Sequence, residues 1–220
     1  TGGRLVAEDQ KLFVLASRNY LGDDYGIRGG SLGFTLSLTG GKITVLLRDV
    51  NETPGKDDGG LKFVFKDGSL QFTDTSSRTK ANADISAYFA GGKEAKVEFA
   101  DHPDCVELRI NSETLLRIEY TENAGSYSVS NYSSSLRVFD GSGTVLAETG
   151  KSILQRAGHF VFAADGFEGY IDDFFFDYSE IDQSLPEASE TREVSYGNWV
   201  ATDDLNRVTS LSDTVGAVRQ

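Results

Sequence analysis

The stretch GYIDDFFFDY (169–178) places three aspartates among five aromatic residues. Carboxylates do two kinds of chemistry at close spacing. A pair held about 5–10 Å apart cleaves glycosidic bonds, and a cluster with other oxygens holds a hard cation such as calcium. Glu168 and Asp172 come nearest to a glycosidase pair in this chain, and on an extended strand they share a face. However, Asp172 falls among core aromatics, and the E-x-D-x-x-E and E-x-D-x-E spacings of many sandwich glucanases are absent. Strict alternation puts Tyr170, Asp172, Phe174, Phe176 and Tyr178 on a buried face, and Ile171, Asp173, Phe175 and Asp177 on a half-exposed one. An inward carboxylate needs a partner. Asp172 is therefore expected to be held by backbone amides, a tyrosine hydroxyl or a structural calcium ion, with no catalytic role. Phe174 is expected to be buried between two layers, with Phe175 facing the other way.

Other candidate motifs fail on their required context. GGSLG (29–33) has the G-x-S-x-G spacing of a nucleophile elbow, but a helix must follow that motif and a strand-like FTLSLTGG follows here. TGKS (149–152) lacks the first P-loop glycine, since Val145 stands in its place. DHPDC (101–105) gathers His102, Cys105 and two aspartates, without the second cluster that three or four convergent zinc ligands require. DVNETPGKDDGG (49–60) begins like a calcium loop, but Pro54 replaces the glycine an EF-hand needs. Sequons at Asn51 and Asn131 bear on the chain only where the source glycosylates.

The residues that could bind rather than react need a scaffold, and the chain supplies strands almost throughout. Period-two alternation runs through KLFVLAS (11–17), LGFTLSL (32–38), KITVLLRD (42–49), LKFVFKDG (61–68) and AKVEFA (95–100). VELRI (106–110) and LLRIEY (115–120) form a hairpin across NSET, and SYSVSNY, SLRVFD, TVLAET, GHFVFAA and GYIDDFFFDY complete the set. Glycine-rich punctuation such as TGG, DDGG, AGGK and DGSG separates them. About a dozen short strands with no amphipathic helical stretch predict an all-β chain, an antiparallel β-sandwich of the jelly-roll kind. After Tyr178 the sequence turns polar and loses its periodicity. The reading is a sandwich domain over 1–180 and a polar tail or linker over 181–220 that leads toward a missing domain or packs on the sandwich.

The bulk composition narrows the partners. A formal net charge of −13 disfavours nucleic acid, whose phosphates need clustered Lys and Arg, and disfavours anionic membranes. It suits a secreted protein, a neutral partner or bound calcium. The single cysteine excludes an internal disulfide. The lack of any methionine reads as a processed or excised chain from which a signal peptide has been removed. No apolar run approaches the ~18 residues of a membrane span.

Two stretches carry a resemblance to a known superfamily. VELRINSETLLRIEY (106–120) and AGHFVFAADGFEGYIDDFFFDY (157–178) resemble the strand–turn–strand and the closing strands of the concanavalin A-like, or laminin-G-like, jelly rolls. NWVATDDLNR (198–207) is similar to the lead-in to the catalytic domain of some secreted bacterial polysaccharide-degrading enzymes. The resemblance implies a monomeric carbohydrate-binding accessory module of such an enzyme, secreted, periplasmic or at the cell surface, with a polysaccharide or oligosaccharide as ligand and a catalytic domain as neighbour. A glycoside hydrolase or polysaccharide lyase on the same sandwich, and a brace domain that binds no sugar, are the alternatives. Sugar rings ask for an aromatic face beside hydrogen-bonding groups. The only tryptophan, Trp199, lies in the tail. RNYLGDDYG (18–26) offers Tyr20 and Tyr25 around Asp23 and Asp24, and SYSVSNY (126–132) offers Tyr127 and Tyr132 near Asn131. The open face of the strands at 42–49 and 106–110 is expected to supply Arg48, Glu107 and Arg109.

Overall fold

A computed structural model describes residues 4–7, 13–17, 30–49, 60–66, 68–102, 104–124, 131–155, 159–177, 191–194, 199–202 and 207–210. They form fifteen strands: β1 (Arg4–Ala7), β2 (Phe13–Ser17), β3 (Gly30–Asp49), β4 (Leu61–Lys66), β5 (Ser69–Asp74), β6 (Thr79–Asp84), β7 (Glu94–Asp101), β8 (Cys105–Ile110), β9 (Glu113–Glu122), β10 (Asn131–Asp140), β11 (Val145–Gln155), β12 (His159–Asp177), β13 (Thr191–Val194), β14 (Trp199–Thr202) and β15 (Arg207–Ser210). A single helical turn, α1 (Ser86–Phe89), and a 3-10 turn at Ala90–Gly92 join β6 to β7.

β3 and β12 organise the molecule. They pair antiparallel along their whole length, from Asp49 opposite His159 to Ser31 opposite Asp177. The ribbon folds over on itself near its middle. Phe162 lies opposite Val45 in register, and Phe34 is eleven residues from Val45, about 36 Å along an extended strand. Yet the Phe34 and Phe162 rings meet with centroids 4.8 Å apart, so the two halves of the ribbon face each other across a core. The corner needs glycine: Gly41 has φ +66°, and a Cβ there would come 1.7 Å from the Gly166 carbonyl oxygen. No side chain fits that approach.

Each half of the ribbon seeds one layer. The second half of β3 pairs with β4, which leads to β5 and β6, and the first half of β12 pairs with β2 and through it β13. The first half of β3 pairs with β7, which leads through β8, β9 and β10 to β11, while the second half of β12 pairs with β1, which leads through β14 to β15. Every one of these pairings is antiparallel. The expected antiparallel β-sandwich is thus present, built on two long bent strands where alternation alone suggested four short ones.

Alternation fills the space between the layers. Leu32, Phe34, Leu36, Val97, Phe99, Leu108, Ile118 and Val138 face Ile43, Val45, Phe63, Phe65, Phe72 and Phe162, all fully buried or nearly so. The Phe63 and Phe99 rings cross the gap at 4.9 Å. Each such side chain contributes ~1.5–3 kcal/mol by leaving water. The β8–β9 hairpin is as expected: Asn111 (φ 51°) and Ser112 (φ 70°) make the mirror-image two-residue turn that matches strand twist. The stretch after residue 180, read as a polar tail or linker, supplies β13, β14 and β15 at the sheet margins.

Candidate functional site

The outer face of the longer layer carries the most chemistry among the described residues, and a β-bulge sets it up. Asp172 lies opposite Thr35 and Phe175 opposite Gly33, so β12 holds one residue more than β3 between them. The extra residue is Asp173, with φ 49°, a left-handed conformation that Asp tolerates better than most side chains. A bulge re-aims the side chains beyond it. Before it, Ile171 is buried in the core while Asp172 shares the outer face with Thr35. After it, Phe174 turns inward and Phe175 turns outward.

The expectation that Asp172 points inward is therefore overturned. Its carboxylate sits half-buried on the outer face and accepts the Asp173 amide at 2.8 Å, and Asp173 in turn accepts the Thr35 hydroxyl at 3.3 Å. Phe174 is inward but is not fully enclosed. Its ring lies 5.7 Å from that of Phe160 and 5.8 Å from that of Phe162, yet the residue is 37% exposed. Among the described residues no group of three or more His, Cys, Asp or Glu is placed to hold a metal ion.

Phe175 lies across Gly33. A Cβ on Gly33 would come 2.6 Å from Phe175 Cε1, so the glycine is the seat for the ring. Lys96 Nζ stands 5.0 Å from the ring centroid, within cation–π range. In register beside them, Gly33 faces Glu98 and Glu98 faces Arg109. Arg109 joins two carboxylates: its Nη2 and Nε donate to Glu107 Oε2 at 2.5 and 3.1 Å, and its Nη1 donates to Glu98 Oε1 at 3.4 Å. Chiefly through the Glu107 bond, Arg109 holds its proton still more firmly than an ordinary guanidinium. The ladder continues to Arg117, which pairs with Glu119 at 2.7 Å. Burial pushes the nearby Cys105 thiol above its usual range, which disfavours the thiolate that a nucleophile needs. An aromatic ring thus stands beside fixed donors and acceptors on an open sheet face.

Arg109 and Glu107 lie on the open face as expected. Arg48 does not. β3 carries its own bulge where Asp49 and Leu46 oppose His159 and Val161, and Arg48 is the residue there with φ 57°. The bulge turns it into the interior, 1% exposed. Its Nε donates to Asp101 Oδ1 at 3.1 Å, its Nη2 reaches Asp101 and the His102 carbonyl, and the Tyr120 ring lies 6.0 Å away. Arg48 is a buried structural cation. Tyr20, Tyr25, Asp24 and Tyr127 lie outside the described residues, as does the side chain of Tyr132. Alternation set Phe175 on the half-exposed face, as found, but did not single it out beside Arg109; the signal for the bulge was the Asp-Asp pair before the aromatics, a place where a left-handed residue can form.

No family model and no curated protein matches the chain. Among solved structures it is similar to sheep galectin-11 in complex with glycerol, at 9% identity and a TM-score of 0.39 over 76% of this chain and 100% of that one. It is similar also to the Caenorhabditis elegans galectin LEC-6, at 14% identity and a TM-score of 0.39 over 76% of this chain and 98% of that one. A third, described as a native glycosidic hydrolase, shows 8% identity and a TM-score of 0.38 over 82% of each chain. Likenesses at these identities transfer no residue role.

Proposed function

We propose that the chain is a non-catalytic carbohydrate-binding module, and that the outer face around Phe175 is where it meets its glycan. The observation that supports this is the seating of the Phe175 ring on Gly33 beside the Glu98–Arg109–Glu107 ladder. A pyranose presents an apolar C–H face that lies on an aromatic ring, and a rim of hydroxyls that both donate and accept. Glu98 and Glu107 accept; Arg109, Arg117 and Lys96 donate. The ion pairs hold these long side chains in one arrangement before binding, so less rotamer entropy is lost on contact. Glu98 and Glu107 are both engaged by Arg109, an arrangement suited to positioning hydroxyls and not to delivering a proton.

The wider reading, a secreted bacterial module attached to a polysaccharide-degrading enzyme, rests on the likeness of NWVATDDLNR (198–207) to the lead-in of such catalytic domains. The test is titration calorimetry against a panel of plant and microbial polysaccharides, with Phe175→Ala alongside the parent chain. The expected result is saturable binding that Phe175→Ala weakens about tenfold, the equivalent of ~1.4 kcal/mol. Reducing sugar released by the chain would assign an enzyme instead. A firm contact with an adjoining catalytic domain and no glycan binding would assign a brace.

A further inference from the structure

We infer that the ligand of this face is an extended, uncharged glycan chain lying across the strands, and neither an acidic polysaccharide nor a single terminal sugar. The inference rests on the module reading above and adds its charge class and length.

Charge comes first. Four described cations of the outer face are each matched to a glutamate: Lys96 to Glu98 at 3.7 Å, Arg109 to Glu107 at 2.5 Å, Arg117 to Glu119 at 2.7 Å and Arg137 to Glu148 at 3.7 Å; Lys151, exposed at the β11 bulge, is a further cation at the far end. A uronate or sulfate would have to displace a carboxylate to reach any of these four, which among the described cations of this face leaves only Lys151 at the far end to receive it directly. It would also approach a chain of formal net charge −13, whose field repels polyanions. Hydroxyls face neither obstacle, because paired glutamates keep lone pairs to accept with and paired guanidiniums keep N–H groups to donate.

Length is set by register. The polar groups form a diagonal band: Phe175 on β12 faces Gly33 on β3, which leads to Glu98 and Arg109; two residues along β8, Glu107 faces Arg117 on β9; and two residues along β9, Glu119 faces Arg137, which faces Glu148 on β11. From β12 to β11 is six interstrand steps of ~4.8 Å, roughly 29 Å, several sugar rings end to end. The far end is shaped as well. β10 and β11 lose register between Ser134 and Leu136, and the bulge opens a notch of about 300 Å³ lined by Ser135, Leu136, Arg137, Glu148, Thr149 and Gly150. That volume is at the low end of small-molecule sites, ~300–1,000 Å³. The Asn123 carboxamide fixes its floor, donating to the Gly150 carbonyl at 3.3 Å and accepting the Ser135 hydroxyl at 3.1 Å. A Cβ on Gly150 would meet only Ser135 Oγ, at 4.0 Å, so the notch is open above the glycine. One ring seated on Phe175 and another in this notch would belong to the same chain.

The test is calorimetry with ladders of gluco-, xylo- and manno-oligosaccharides of increasing length, beside a ladder of oligogalacturonides, at low and high salt. At least one neutral ladder should gain tenfold or more in affinity from the disaccharide to the longest members, with little salt dependence. Phe175→Ala should weaken every length, while Glu148→Ala at the notch should weaken the long members more than the disaccharide. Equal affinity for disaccharide and long chain, or tighter binding of oligogalacturonides that fades with salt, would overturn the inference and leave the module reading standing. Absence of binding to every ladder would overturn both.

Discussion

Asp173 and Arg48 are single residues that each reverse the side on which their neighbours fall. Both have positive φ, and both sit where one long strand carries one residue more than its partner. Alternation counted straight through these points, so it put Asp172 inside and Arg48 outside. Neither bulge has a glycine to announce it. Three predictions belong at this scale. Phe162→Ala, from a fully enclosed site, should cost ~3–5 kcal/mol of unfolding free energy in urea, and Phe174→Ala clearly less, because its ring already meets water. Asp101→Ala should cost about 3–5 kcal/mol, since it strands the buried Arg48 guanidinium; the same denaturation series reads it. Tyr120 is buried, and desolvation first, then the Asp74 charge, raise its phenol well above the usual value. The folded state then holds a proton that the unfolded chain releases near pH ~10. Stability is fully present below that pH and falls as pH rises toward the folded value. Tyr120→Phe should flatten this alkaline loss, as seen by comparing denaturation midpoints at neutral and alkaline pH.

At the scale of elements, the hairpin β8–β9 was legible because its Asn-Ser turn sits between two clean alternations. The long strands were not, because Gly40–Gly41 and the Asp165–Gly166 region look like loop punctuation. The backbone instead uses them as a corner within continuous strands. Gly41→Ala should be poorly tolerated. It costs more than the ~1–3 kcal/mol of a strained left-handed residue, because the neighbour it strikes is the Gly166 backbone and cannot turn aside. Melting temperature measures this directly. Ser112→Gly should do the opposite. The position has φ 70°, and glycine there relieves strain by ~0.5–1 kcal/mol, raising the melting temperature without touching the outer face.

For the whole molecule, the sandwich was legible from strand density and turn punctuation, because period-two burial dictates layers whatever the connections between them. The proposed binding face was only half legible. Glu107 and Arg109 alternate with Val106, Leu108 and Ile110 on one strand and so declare their side. Alternation set Phe175 outward as well, but its seat on Gly33 comes from a strand well over a hundred residues away in sequence. The two meet only through the folded ribbon, so no local pattern links them. The most direct measurement of the glycan face is titration of the intact chain with the polysaccharide panel before and after Phe175→Ala, with folding of the variant checked by its melting temperature. Binding that falls about tenfold in a variant of unchanged stability is the predicted result. Undiminished binding by a folded Phe175→Ala chain would contradict the assignment of this face.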